Sequence, residues 1–155
     1  MTAERQLSYY MNKSSDLASQ KFDKKIRIGL LGSFTLNGLS ETLAVKCAEK
    51  NIQCQAYVGG YNQFNQEILN QESELYKFGP EILFLLIDTR TILGDLFHNP
   101  YSVSAEDRRD IVDKKTKEIL DLANRFCNKT KSKIILSNLS IPTFSPNGIF
   151  ENIIA

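Results

Sequence analysis

Long apolar segments, concentrated charge and paired cysteines are all missing from this sequence. The longest apolar run, Ile82 to Ile87, is strand-sized, whereas a membrane helix needs roughly 20 consecutive apolar residues. The formal net charge of +1 provides no concentrated basic surface for nucleic acid or an anionic membrane. The three cysteines, Cys47, Cys54 and Cys127, form no Cys-x-x-Cys spacing, and their odd number argues against a disulfide framework or a zinc site. We therefore expect no nucleic-acid partner, no membrane partner and reduced structural cysteines.

The N-terminal region lacks the pattern of a secretory signal. Residues Met1 to Gln20 are polar and mixed, without an apolar core and a small-residue cleavage site, which favours a cytoplasmic protein. Within this region, side chains at helical spacing predict an amphipathic helix that docks on the domain or on a partner. They are Leu7, Tyr10, Met11, Ser14, Leu17 and Ala18. A poorly ordered leader is the alternative, and we treat residues 1–24 as an N-terminal arm.

Strand-like and helix-like patterns alternate through residues 25–155, which have the length of one domain. The predicted strands are Ile26 to Leu31, Ile52 to Val58, Ile82 to Ile87 and Ile134 to Leu136. The predicted helices begin near Ser40, run from Asn62 to Asn70, and run from an N-cap at Ser104 to about Asn128. This alternation predicts an α/β fold, a three-layer sandwich with a mainly parallel sheet.

A sheet of four strands looks incomplete for this architecture. Pro142, Pro146 and Gly148 break the pattern after the last predicted strand. We therefore expect the domain at residues 25–155 to be truncated at its C-terminus.

Three polar loops follow predicted strands at their carboxyl ends: Gly32 to Thr35, Asp88 to Arg90, and Ser137-Asn138. In an open parallel sheet, ligands bind outside these ends at the point where the strand order reverses. The Gly59-Gly60 pair ends the second strand and gives backbone amides access to a ligand. The expected ligand-binding residues are Gly32, Phe34, Thr35, Gly60, Asp88, Arg90 and Asn138.

Several of these residues also have a structural interpretation. Asp88 and Arg90 are equally explained by an ion pair or a turn cap. Gly60 fits a plain turn, and the amide of Asn138 fits a bond to a neighbouring loop. The sequence leaves both interpretations open.

Ser33 is the candidate catalytic residue, because a serine in a strand-to-helix turn can act as a nucleophile near helix amide groups. A serine nucleophile needs a base, and the sequence offers one histidine, His98. The alternative is that Ser33 and Thr35 cap the first helix of the domain. No metal-binding residues are predicted, and the motifs GxGxxG, GxxxxGK[ST], GxSxG and HExxH are absent.

Four segments occur in an order and spacing that resemble the N-terminal region of FkbH-like proteins. They are Ile28 to Thr35, Tyr57 to Gln63, Ser73 to Tyr76 with Pro80, and Ile82 to Arg90. In FkbH-like proteins an SGNH-hydrolase-like domain precedes a HAD-superfamily phosphatase-like domain. The resemblance spans roughly Lys25 to Phe150 and implies an SGNH-like or flavodoxin-like fold.

The resemblance also implies a role in polyketide or related natural-product biosynthesis. FkbH-like proteins dephosphorylate 1,3-bisphosphoglycerate and load the glyceryl unit onto an acyl carrier protein. The implied partners are therefore an acyl carrier protein and a HAD phosphatase-like domain. Mg²⁺ is implied for the HAD domain, and no cofactor is implied for this one.

The chain departs from the catalytic patterns of both domain types. Gly32-Ser33-Phe34-Thr35 lacks the usual acid, Ile87-Asp88-Thr89-Arg90 replaces Gly-x-Asn-Asp, and a C-terminal Asp-x-x-His is absent. The HAD signature Asp-x-Asp is absent as well, so phosphate cleavage is not expected in these residues. The first hypothesis is therefore a front domain that recognises the substrate or the carrier during glyceryl transfer.

Two other hypotheses remain. One is a divergent SGNH-type serine esterase or acyltransferase that uses Ser33 with His98 as a base. The other is a noncatalytic interaction module that engages a synthase through the arm from Leu7 to Ala18.

Overall fold

The computed structural model describes residues 6–140 of the chain. The strands in this part are Lys24–Gly32 (β1), Ile52–Val58 (β2), Ile82–Leu86 (β3) and Lys133–Leu136 (β4). The α-helices in this part are Leu7–Asp16 (α1), Leu39–Ala48 (α2), Phe64–Leu69 (α3), Glu74–Phe78 (α4), Thr89–Leu93 (α5), Asp95–His98 (α6) and Ala105–Lys129 (α7). The predicted break at Pro142, Pro146 and Gly148 and the predicted domain end at Ala155 lie outside the described residues.

The strands form one sheet in the order β2-β1-β3-β4. Each neighbouring pair is parallel, so the prediction of an α/β fold with a mainly parallel sheet is confirmed. The chain steps from β1 to β2 on one side, then returns to the other side of β1 to form β3 and β4. This is the flavodoxin-like order, and its switch point lies between β1 and β3.

Helices α3, α4 and α7 pack on one face of the sheet. Leu83 and Leu85 of β3 point to this face and are 0% exposed. Along a strand successive side chains point to opposite faces, so alternate residues of β3 belong to different cores. The buried residues of the first core are Leu31, Phe64, Ile68, Leu75, Leu83, Leu85, Ile87, Leu122 and Phe126.

Helix α2 packs on the opposite face. Its residues Leu39 and Leu43 contact a smaller core of Ile28, Leu30 and Leu36. Helix α1, which lies within the predicted N-terminal arm, packs against α2 and buries none of its own residues completely. Helices on both faces of a parallel sheet make the three-layer arrangement that the sequence predicts.

The helix ends show how far local sequence signals reach. Ser104 is the N-cap of α7 as predicted, because its Oγ accepts a hydrogen bond from the N–H of Asp107 at 3.1 Å. The prediction that Ser33 and Thr35 cap the first helix of the domain is wrong. The N-cap of α2 is Gly38, which has φ +80° and no side-chain cap bond.

Helices α4, α5 and α6 have no counterpart among the predicted elements. They contain 5, 5 and 4 residues, too few for a 3.6-residue periodicity to repeat. Helix α5 occupies part of the segment Asp88 to Arg90, which the sequence analysis assigns to a loop. Within residues 6–140, no helix combines the length and the apolar character that crossing a membrane requires.

Candidate functional site

Ser33 lies at the switch point and joins the carboxyl ends of β1 and β3. Its N–H donates a hydrogen bond to the carbonyl of Leu86 at 3.0 Å. Its Oγ accepts a hydrogen bond from the N–H of Asp88 at 2.8 Å, and the residue is only 2% exposed. The hydroxyl is therefore held between two strand ends instead of facing solvent. This geometry favours a structural role for the residue predicted as a nucleophile.

One backbone bond and one bond to a side chain connect the other strand ends. The carbonyl of Gly32, which is buried, accepts a bond from the N–H of Asn62 at 3.2 Å. On the other side, the Oγ of Ser137 accepts a bond from the N–H of Ile87 at 3.0 Å. Hydrogen bonds between the strand ends therefore close the expected crevice at the switch point. The residues around the switch point face solvent.

Asp88 and Arg90 lie beside the switch point and make different contacts. The carboxylate of Asp88 accepts a bond from the N–H of Arg90 at 3.4 Å and caps α5, which confirms the cap interpretation. The guanidinium of Arg90 lies 5.5 Å from the ring centroid of Phe97. His98, the base considered for Ser33, sets its ring edge-on to Phe97, with centroids 5.2 Å apart. Arg90 is exposed, so its guanidinium lies at the surface.

Exposed residues surround the closed switch point, and we call this surface the strand-end rim. It consists of Phe34, Thr35, Gly60, Tyr61 and Arg90. Phe34 is 44% exposed and Tyr61 is 70% exposed, so both aromatic side chains face solvent. Exposed aromatic and arginine side chains are the residues that protein interfaces use most. The strand-end rim is therefore the candidate binding surface.

Gly60 fits its structural interpretation, whereas Asn138 bonds to the residue that follows it and not to a neighbouring loop. The carbonyl of Gly60 accepts a bond from the N–H of Gln63 at 3.1 Å, as in a plain turn. The Oδ1 of Asn138 accepts a bond from the N–H of Leu139 at 2.9 Å, and both residues are exposed. A ligand role for either residue stays a prediction.

A cleft of about 240 Å³ opens beside the strand-end rim, between α3, α5 and α7. Its floor is apolar, and the polar side chains at its mouth include an ion pair between Lys115 and Glu118 at 2.9 Å. The hydrogen bond from Lys115 lowers the pKa of the Glu118 carboxyl. The residues that line it are Asn62, Phe64, Asn65, Thr91, Ile92, Lys115, Glu118, Ile119 and Leu122.

Comparison with known proteins decides the family. The sequence model of FkbH, N-terminal domain, matches residues 27–143 of the chain. The chain belongs to the FkbH N-terminal domain family. The resemblance predicted from the order of the sequence motifs is confirmed. Among curated proteins, no match was found.

One solved structure that the FkbH N-terminal domain resembles is the N-terminal part of the protein BF1531 from Bacteroides fragilis, described as containing a phosphatase domain complexed with Mg. The TM-score is 0.70 at 19% sequence identity, and the match covers 96% of this chain. It covers 36% of the BF1531 chain, so this chain spans about a third of that structure. At this identity the likeness shows the fold.

Sequence reasoning missed several polar residues of the FkbH N-terminal domain. Thr89 is 6% exposed, and its Oγ1 donates a hydrogen bond to the carbonyl of Ser140 at 2.7 Å. Ser137 holds the end of β3 through its Oγ. The cleft residues Asn62 and Thr91 come from separate segments. These residues come together only when the chain folds, so no local motif marks them.

Across residues 6–140 of the FkbH N-terminal domain, no group of three His, Cys, Asp or Glu side chains is arranged to hold a metal ion. A separate set of polar contacts joins β2 to α3 and α4. There the hydroxyl of Tyr57 donates to Oε1 of Glu67 at 2.8 Å, and Oε2 of Glu67 accepts a bond from the N–H of Leu75 at 3.3 Å. Burial, followed by the bond to Glu67, raises the pKa of Tyr57 to about 12.

Proposed function

We propose that this FkbH N-terminal domain recognises an acyl carrier protein while a glyceryl unit from 1,3-bisphosphoglycerate is loaded onto that carrier. In this proposal the domain contributes binding and positioning, and an adjoining HAD phosphatase-like domain removes phosphate with Mg²⁺. The reaction belongs to polyketide or related natural-product biosynthesis and takes place in the cytoplasm. Family membership supports the setting, since the matched domain is the N-terminal domain of FkbH.

One observation carries the assignment of a binding role. The switch point is closed by the bond between Ser33 and Asp88, while Phe34, Tyr61 and Arg90 remain exposed around it. A buried hydroxyl that already accepts an amide bond is poorly placed to attack a substrate. Exposed aromatic side chains with an arginine fit recognition of another protein surface. Arg90 also supplies the positive charge that an acidic carrier surface prefers.

The phosphatase partner is supported by the solved relative. The BF1531 structure is described as containing a phosphatase domain complexed with Mg, and this chain matches about a third of it. We propose that the present domain adjoins a similar phosphatase-like domain. Its strand-end rim would then present the carrier to that neighbour.

Helix α1 favours a second surface for protein interaction. Leu7 and Met11 are each 50% exposed on a helix that packs against α2. Apolar side chains at such positions suit a weak contact with a synthase or with the neighbouring domain. Deletion of residues 1–20 tests this surface, since a synthase contact through α1 requires weaker binding after the deletion.

The test of the main proposal is a binding titration of the domain against an acyl carrier protein, in its free and glyceryl-loaded forms. Arg90→Ala and Phe34→Asp remove the two kinds of contact on the strand-end rim. Arg125→Ala, an exposed arginine on α7, is the matched control. Saturable binding that the rim variants weaken supports the proposal. Binding that all three variants leave unchanged, or no binding by a folded domain, overturns it.

A further inference from the structure

The cleft between α3, α5 and α7 has a buried apolar floor and is separate from the strand-end rim. Phe64 and Leu122 in its floor are 7% and 6% exposed, and Ile92 and Ile119 are half-buried beside them. Its volume of about 240 Å³ is below the roughly 300–1,000 Å³ of sites that enclose a whole drug-sized ligand. The cleft is therefore too small to enclose a complete nucleotide and suits a smaller group or one segment of a longer chain.

The mouth of the cleft offers neutral hydrogen-bonding groups. Asn62 and Asn65 bring side-chain amides, and Thr91 brings a hydroxyl; all three are exposed. Within residues 6–140, none of these three side chains has a hydrogen bond to another described residue. Their donors and acceptors are thus available to a ligand, and amide groups pair best with other amides and hydroxyls.

Charge argues against a phosphorylated ligand in this cleft. Lys115 and Glu118 are its charged side chains, and they pair with each other at 2.9 Å. Sites for phosphates generally supply unpaired arginine or lysine, or a row of backbone amides. Because the Lys115 charge is already balanced, a bisphosphorylated glycerate gains little there. A neutral ligand does not depend on an unpaired charge in the cleft.

The cleft is also next to the surface that the carrier is proposed to use. The N–H of Asn62 donates to the carbonyl of Gly32 at 3.2 Å, and the N–H of Thr91 donates to the carbonyl of Asp88 at 3.1 Å. Two residues at the mouth of the cleft are therefore attached directly to the strand ends. The mouth of the cleft therefore lies beside the strand ends that the strand-end rim surrounds.

We propose that the cleft binds the pantetheine arm of the carrier protein, a neutral chain with amide groups, a hydroxyl and geminal methyl groups. The apolar part of the arm packs over Ile92 and Ile119, while its amides bond to Asn62 and Asn65. The inference rests on the proposed carrier recognition and names the chemical group of the carrier that the domain binds. The phosphorylated donor is left to another site.

The experiment compares carrier protein with and without its pantetheine arm, in titrations of the whole chain and of two variants. Asn65→Leu removes an amide at the mouth of the cleft, and Asn128→Leu makes the same exchange on an exposed stretch of α7. We expect the arm to strengthen binding, and we expect Asn65→Leu to weaken binding of the armed carrier by about tenfold. Binding of the armless carrier should be the same for both variants.

The outcomes separate the two proposals. Equal binding of both carrier forms overturns the inference about the arm and leaves carrier recognition standing. Binding of neither form overturns both. Amide NMR shifts with free pantetheine and with 3-phosphoglycerate provide an independent check: shifts of Asn62 and Asn65 with pantetheine support the inference. Shifts of these residues with 3-phosphoglycerate alone contradict it.

Discussion

The backbone N–H of Asp88 donates a hydrogen bond to the Oγ of Ser33 across the ends of β3 and β1, with a donor–acceptor distance of 2.8 Å. Ser33 is 2% exposed, so water cannot easily replace this acceptor. An orphaned buried amide loses the whole desolvation energy of the group. The serine that a sequence pattern marks as a nucleophile is in this position a bridge between two strands.

Ser33→Ala should therefore destabilise the domain. We expect the free energy of unfolding to fall by about 1–3 kcal/mol, because the amide of Asp88 loses its acceptor. Urea denaturation followed by circular dichroism measures this change. Ser15→Ala, on an exposed face of α1, is the matched control and should change stability by less than about 0.5 kcal/mol. Equal stability of the two variants would show that the bridge contributes nothing.

Gly38→Ala should loosen the contact between α1 and the N-terminus of α2. Gly38 has φ +80°, and a Cβ there would overlap the side chain of Leu7. We expect a loss of about 1–2 kcal/mol from the left-handed backbone, with an additional loss from the overlap. In a Leu7→Ala background the second part should disappear. Gly79→Ala, with φ +60° and more space, provides a control that should not depend on Leu7. If Gly38→Ala lowers the free energy of unfolding equally in the wild type and in the Leu7→Ala background, Leu7 does not contact Gly38.

Tyr57 should make stability depend on pH at the alkaline end. Burial and the bond to Glu67 raise the pKa of Tyr57 from 10.0 to about 12. The unfolded chain therefore loses the Tyr57 proton before the folded domain does. Its contribution to stability is complete below pH 10 and declines as the pH rises toward 12. The measurement is the difference in free energy of unfolding between the wild type and Tyr57→Phe across this window. Parallel curves would refute the prediction, and Glu67→Gln should move the window to lower pH.

The cysteines should differ in reactivity toward iodoacetamide. Cys127 is exposed, whereas burial, followed by the neighbouring Cys47 thiol, raises the pKa of Cys54 to about 12. Because the thiolate is the reactive form, Cys127 should be alkylated first and Cys54 only after unfolding. Peptide mass spectrometry at successive times measures this order, and Cys127→Ser should remove the fast phase of alkylation. Rapid labelling of Cys54 in the folded domain would contradict the burial described for it.

The sequence is informative wherever a pattern repeats within one element. Leu83 and Leu85 lie in an unbroken apolar run, which is typical of a strand covered on both faces, and the structure covers them. Helix α7 is long enough for its periodicity to repeat, and its N-cap at Ser104 is visible from residue type alone. The order of the motifs was sufficient to predict the family.

The candidate site was harder to predict, because its contacts join residues that are distant in the chain. Ser33 and Asp88 are 55 positions apart, and only the register between β1 and β3 places the hydroxyl beside that amide. The start of α2 at Gly38 depends on a backbone conformation that residue type indicates only weakly. The cleft draws residues from α3, α5 and α7, so no local spacing predicts it.

The most direct test of the central claim separates carrier loading from phosphate release in the whole FkbH-like protein. The variant Phe34→Asp/Arg90→Ala changes two exposed residues of the strand-end rim, and Val112→Asp/Arg125→Ala introduces the same two residue types in place of an exposed apolar residue and an exposed arginine of α7. We expect the rim variant to form glyceryl-carrier about tenfold more slowly or worse, since each 1.4 kcal/mol of lost binding is about tenfold in affinity. Release of phosphate from 1,3-bisphosphoglycerate should continue, and the α7 variant should load normally. Glyceryl-carrier formation at the wild-type rate by the rim variant would contradict the claim that this surface recognises the carrier.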